Sequence, residues 1–205
     1  MLNVTDLSCS RGDRTLFRAL SFALSPGQLL AVTGSNGSGK TTLLRALCGF
    51  SPCDAGSIAW DGQEIGKNAE HYVSRILYIG HRNALKDDLT PGENLTALAT
   101  IAGAVLDGQA IRSALQSIGL EPSLDRLPTR VLSEGQRRRV ALARLWCEVR
   151  PLWILDEPFT ALDAQSAQLF RRRLQRHLED GGMVVTATHE PVGLSGESMR
   201  EIRLA

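Results

Sequence analysis

"GSNGSGKTT", residues 34–42, decides how this chain folds. The stretch fits the spacing G-x-x-x-x-G-K-[ST], in which a loop wraps its backbone around an anion. Phosphate oxygens need several N–H groups aimed at one point. A loop achieves this where its backbone enters conformations that glycine tolerates cheaply, here at Gly34, Gly37 and Gly39. Ser35, Asn36 and Ser38 stand between them, and Lys40, Thr41 and Thr42 close the motif. The flanks agree: the apolar run Leu29 to Thr33 precedes as a strand and "LLRALCG" follows as a helix. That helix starts near Lys40, so its positive N-terminal end faces the loop. The expectation is a cradle for a nucleotide's phosphates in which Lys40 reaches the β- and γ-phosphates and the Thr41 hydroxyl holds Mg²⁺.

A second stretch, "PLWILDEP", residues 151–158, puts two acids at the end of the apolar run Leu152 to Leu155. Ligands of open α/β sheets lie at strand carboxyl ends. Neighbouring strand residues point to opposite faces, so adjacent acids should do different work. Asp156 is expected in the Mg²⁺ shell and Glu157 as the base that polarises an attacking water.

Between these stretches the pattern is mixed. "RALSFALS" alternates Leu20, Phe22 and Leu24, and "GSIAWDGQEI" carries the tight-turn pair Asp61-Gly62. Residues 86–149 read as helical, and the last third returns to strand, helix and strand, with Phe170, Leu174 and Leu178 on one helix face before Gly181-Gly182. With 205 residues, the expectation is one α/β domain, 1–205, with a helical insertion at about 86–149.

Composition narrows the partners. Lys plus Arg is 23 against 22 acids, which gives no support to direct nucleic-acid binding. Cys9, Cys48, Cys53 and Cys147 lack C-x-x-C spacing, so a reduced, cytosolic chain is expected. His71, His81, His177 and His189 show no ligand spacing. The N-terminus predicts no leader peptide. Leu95 to Leu106 is shorter than the ~20 apolar residues of a membrane span, and reads as a buried helix.

"LSEGQRRRVALARL", residues 132–145, begins as a capping box, S-x-x-Q, that opens a helix. A capped helix start with a hydroxyl and a glycine N–H is also a phosphate site. Here Ser133, Gly135 and Gln136 resemble the LSGGQ signature of ABC-type ATPases. "ALD", ending at Asp163, resembles their D-loop, and His189 in "TATHE" resembles their switch histidine. The likeness covers essentially the whole chain. It implies a P-loop ATPase with a RecA-like core, an antiparallel β subdomain and an inserted helical subdomain. It further implies that the signature of one chain contacts the γ-phosphate held by another, so two copies pair head to tail around two ATP molecules. Arg137, Arg138 and Arg139 read as a solvated helix face.

Three positions depart from the common pattern. His81 in "LYIGHRN" stands where the family carries a glutamine that touches Mg²⁺ and senses the membrane partner. A neutral imidazole can accept and donate as an amide does, and an orientation toward the partner is the alternative. Arg11 stands where an aromatic residue stacks on adenine; a stacked guanidinium and an exposed turn arginine both fit. Glu134 replaces a signature glycine, so its carboxylate must point away or be neutralised.

"YIGH", "LTPGENL", "LSEGQRRRVALARLW" and "LWILDEPFTALD" resemble the ATP-binding subunits of bacterial haem exporters used in cytochrome c maturation. The resemblance implies a peripheral protein on the cytoplasmic face of the inner membrane, associated through integral membrane subunits of the cytochrome c biogenesis complex. There ATP hydrolysis releases a haem-loaded chaperone. Another small ABC exporter, for drug or peptide, is the alternative, and a soluble ABC regulator of ribosome or DNA a more distant one.

Overall fold

A computed structural model describes residues 1–189, 191–194 and 199–204. Two compact units emerge, one of residues 1–78, 150–157 and 176–205, the other of residues 79–149 and 158–175.

The first unit carries both sheets. Strands β1 (Leu2–Arg11), β2 (Arg14–Leu24), β4 (Ala55–Trp60) and β5 (Gln63–Glu64) form an antiparallel sheet in the order β2-β1-β4-β5. Asp61 and Gly62 turn β4 into β5 with φ of 49° and 80°, as the Asp-Gly pair predicts. Strands β3 (Leu29–Gly34), β6 (Ile76–Ile79), β7 (Leu152–Asp156), β8 (Met183–Ala187) and β9 (Met199–Leu204) form a second sheet in the order β6-β7-β8-β3-β9. β3 runs parallel to β8 and β9, and β7 parallel to β8. Every residue of β7 and β8 is buried, the reason both read as continuous apolar runs. Helix α1 (Lys40–Leu47) contributes Leu43, Leu44 and Leu47 to one core with Leu2 and Trp60 of the antiparallel sheet and Val32, Ile154 and Val185 of the parallel one. The short helix α2 (Ala69–Val73) adds Tyr72, whose hydroxyl donates to Leu47 O at 2.6 Å.

The second unit holds α3 (Pro91–Ile101), α4 (Gly108–Ser117), α5 (Glu134–Cys147) and the first three turns of α6 (Ala164–Glu179). Buried Asn94 organises the loop before α3: its Oδ1 accepts from Lys86 N at 2.7 Å and its Nδ2 donates to Lys86 O, Leu89 O and Thr90 O at 3.1 Å. Phe170, Leu174 and Leu178 of α6 are all buried, as their spacing predicts.

Two expectations fail here. Cys9 and Cys53 form a disulfide, with Cα atoms 4.7 Å apart, against the reading of a fully reduced chain. The 44-residue separation conceals a cross-strand approach: Ser8 faces Ala55, and Asp54 N donates to Ser8 O at 2.8 Å. Local spacing rules cannot detect such a pair. The run Leu95 to Leu106 is not one buried helix either. Leu95 and Ala99 are buried, but α3 stops at Ile101, and Ile101 and Val105 are 84% and 100% exposed. Among the described residues, no helix is long and apolar enough to cross a membrane.

Candidate functional site

The phosphate loop joins β3 to α1. Gly34, Gly37 and Gly39 have φ of 144°, 79° and 101°, the left-handed territory that glycine supplies. Gly34 has a second reason: a Cβ there would lie 2.6 Å from both Leu204 O and Ser38 Oγ. Gly39 ends the loop as the N-cap of α1 without a capping side chain, which leaves the helix's first N–H groups directed at the loop. Lys40 is 6% exposed, and its ammonium donates to Gly34 O at 2.9 Å and Ser35 O at 3.1 Å. These two bonds brace the loop around the lysine, and the ammonium's third proton can reach an anion.

Thr41, in the first turn of α1, donates from Oγ1 to Asp156 Oδ2 at 2.9 Å. Asp156 ends β7 and is 1% exposed. A hydroxyl and a carboxylate at this spacing are hard oxygen donors of the kind Mg²⁺ takes, one or two from protein and the rest from phosphate and water. The residues therefore fit the ion.

Glu157 follows with φ of 49°, an unfavourable backbone for a residue with a side chain. Its N–H donates to Ala187 O at 3.0 Å, which ties the end of β7 to the end of β8. His189 leaves β8 two residues later, and its Nε2 donates to Glu157 Oε1 at 3.0 Å. The carboxylate keeps 23% of its surface exposed, enough for a water to reach it. Glu157 also lines a cavity of about 330 Å³ with Arg11, Arg14, Gly37, Lys40 and Thr41. Arg11 is thus on the wall of the phosphate-loop cavity. Arg14, opposite Arg11 in the β1–β2 hairpin, joins the same wall; no motif in the sequence marks it.

The second unit presents its own elements. Ser133 caps α5 in a complete capping box: its side chain accepts from Gln136 N at 3.2 Å, and Gln136 Oε1 accepts from Ser133 N at 2.9 Å. Ser133 and Glu134 are exposed at the helix tip. Gly135 packs on the turn after β7: a Cβ there would lie 2.6 Å from Ala161 O. Asp163 caps α6, accepting at Oδ1 from Ser166 N at 2.7 Å, and this bond holds its carboxyl below the usual range. His81 is exposed in the segment after β6.

The arginine triplet is not a solvated face. Arg138 is 3% exposed and donates to Gly80 O at 2.9 Å, Asn83 Oδ1 at 3.1 Å and Pro158 O at 3.4 Å. It therefore ties α5 to the residues flanking His81 and to the residue after Glu157. Arg139 donates to Gly119 O at 3.2 Å and Ser166 Oγ at 3.3 Å, and pairs with Asp163 at 3.6 Å. Arg137 donates to Thr129 O at 3.0 Å and pairs with Asp87 at 2.6 Å. Three consecutive cations looked solvated because their acceptors, mostly carbonyls of distant loops, leave no mark in the sequence.

The profile of the ABC transporter family matches residues 17–160. The chain belongs to that family and is an ATPase of the ABC class. Among its relatives are the cytochrome c biogenesis ATP-binding export proteins CcmA. That of Dechloromonas aromatica is 46% identical over 100% of both chains. That of Aromatoleum aromaticum is 50% identical over 93% of this chain and 89% of its own, and that of Vibrio cholerae 41% identical over 100% and 98%. Among solved structures, an ABC-transporter ATP-binding protein of Pyrococcus furiosus superposes with a TM-score of 0.85 at 25% identity, covering 99% of this chain and 96% of that one. A dimeric ATP-binding cassette bound to ADP and Pi shares the fold with a TM-score of 0.86 at 23% identity, over 100% and 94%.

Proposed function

We propose that this chain is the ATP-hydrolysing subunit of the membrane export complex of cytochrome c biogenesis, the haem exporter, and that its turnover drives release of a haem-loaded chaperone. The pairing of Glu157 with His189 at 3.0 Å, on the wall-forming end of β7 and β8, carries the hydrolytic half of this reading. The full-length relatives named for cytochrome c biogenesis support the biological half.

Gly34 to Thr42 bind the triphosphate of ATP. The loop N–H groups and the helix end attract its oxygens, and Lys40 turns its third proton toward the β- and γ-phosphates. Thr41 and Asp156 would hold Mg²⁺, which when bound neutralises charge on the β- and γ-phosphates. Glu157 accepts a proton from the attacking water. The bond from His189 fixes the carboxylate so that one lone pair faces that water. Arg11 lies against the purine face, where a planar guanidinium stacks. His81 accepts and donates in place of the amide that other family members carry, so that nucleotide and the membrane partner share one sensor.

Ser133, Gly135 and Gln136 form a helix tip for the γ-phosphate held by a second copy, with Asp163 shaping the adjoining turn. Two copies then enclose two ATP molecules, and hydrolysis opens the pair. The chain, residues 1–205, works as one ABC ATPase domain, with its inserted helical segment, from about residue 86 to 149, facing the integral membrane subunits. Those subunits hold the chain peripherally at the cytoplasmic face of the inner membrane, and nucleic acid has no part. The test is to express the chain with its membrane subunits, isolate the complex, and measure ATP turnover together with release of the loaded chaperone. Turnover without any effect of Glu157→Gln on release would contradict the coupling.

A further inference from the structure

We propose that Cys9 and Cys53 form a reversible thiol–disulfide site, opened by small thiols through Cys53, whose state tunes the affinity of the neighbouring nucleotide cavity. The inference rests on the nucleotide reading given above, and on three observations beyond it.

The first is reach. Cα atoms 4.7 Å apart fall in the range a disulfide spans, and the hydrogen bond from Asp54 N to Ser8 O holds the two segments together on one side of the bond. The second is asymmetry. Cys9 is 1% exposed, whereas Cys53 lines an open cavity of about 250 Å³ with Leu7, Gly49, Ser51 and Ile65. A reagent therefore meets Cys53 first. The third is position. Cys9 lies two residues before Arg11, which lines the phosphate-loop cavity, and Cys53 lies on the segment that leaves α1, the helix that begins with Lys40 and Thr41. The bond thus joins a segment two residues from one cavity wall to the far end of the helix whose first turn, Lys40 to Thr42, forms another.

The chemistry is exchange. A small thiolate attacks Cys53 Sγ and forms a mixed disulfide. The Cys9–Cys53 bond breaks, its electron pair passes to Cys9 Sγ, and that sulfur takes a proton. A second thiolate attacks the reagent's sulfur, which releases Cys53 as a thiol and the reagent as its own disulfide. The protein gains two electrons and two protons, and two reagent thiols are oxidised. The remaining cysteines do not compete as attacking thiolates: burial pushes the Cys48 thiol far up, and burial with the Glu148 charge pushes Cys147 up to about 12.

The test uses the full chain equilibrated with oxidised or reduced glutathione, then denatured and alkylated. The site predicts two alkylated cysteines after oxidised glutathione and four after reduced. Four in both would overturn it. In Cys9→Ser, oxidised glutathione should add one glutathionyl group at Cys53, while Cys53→Ser should leave Cys9 unmodified in the native state. Equal modification of both variants would refute entry through Cys53. A fluorescent ATP analogue should bind roughly two- to tenfold more weakly to the reduced chain, because the Arg11 hairpin must then be ordered on binding. Cys9→Ser should bind as the reduced chain does under either condition. Equal affinity in both redox states sinks the tuning; binding in neither sinks the nucleotide reading, while the thiol counts still decide the bond.

Discussion

Glu157 Oε1 accepts a hydrogen bond from His189 Nε2 at 3.0 Å, across the adjacent ends of β7 and β8. The acid sits in a backbone conformation that costs energy and is held there by Ala187 O. Glu157→Gln keeps the shape and removes the basic lone pair. ATP turnover should fall by about 10²- to 10⁴-fold while the affinity for ATP stays within a few-fold. Parallel measurements of turnover and of analogue binding check this. A wild-type rate would show that Glu157 is not the base.

Thr41 and Asp156, 2.9 Å apart, make a prediction about magnesium alone. Asp156→Asn should raise the Mg²⁺ concentration for half-maximal turnover by roughly 10- to 100-fold, the usual effect of disturbing a metal site's supporting oxygens. Titrating Mg²⁺ at fixed ATP reads it directly. An unchanged midpoint would remove Asp156 from the ion's surroundings.

Buried Arg138 holds Gly80, Asn83 and Pro158. Arg138→Ala would leave those acceptors without their donor, at a cost of roughly 2–3 kcal/mol in urea unfolding, with Arg138→Lys recovering part of it. If the cation were a solvated surface group, the alanine variant would unfold at the wild-type midpoint.

His177 stacks on Trp153 with ring centroids 3.6 Å apart and planes within 1°. A Cβ at Gly182 would lie 2.3 Å from that imidazole, so the ring would have to shift in its stack on Trp153. Gly182→Ala should therefore destabilise by about 1–3 kcal/mol, which thermal unfolding would report. Gly181→Ala has nothing within 4 Å of its Cβ. Its cost comes only from the φ of 81° and should be the smaller of the two.

Much of this was legible in the sequence because the demands are local. Glycines in the phosphate loop, the Ser133–Gln136 capping box and the buried β7 and β8 each follow from short-range rules. What escaped was held by distant partners. The three arginines find acceptors up to 58 residues away; Cys9 of β1 meets Cys53, which stands two residues before β4. β9, with an exposed face and little apolar alternation, is fixed by its pairing to β3. Arg14 reaches the cavity only because the β1–β2 hairpin turns it there.

The pairing of two chains across ATP is open to a single measurement: sedimentation of the Glu157→Gln chain with and without Mg·ATP. A monomer without nucleotide should become a dimer at saturating ATP. Ser133→Glu, which sets a carboxylate at the helix tip meant for the partner's γ-phosphate, should bind ATP yet stay monomeric. A Glu157→Gln chain that remains monomeric at saturating ATP, or a Ser133→Glu chain that pairs as readily, would contradict the shared site.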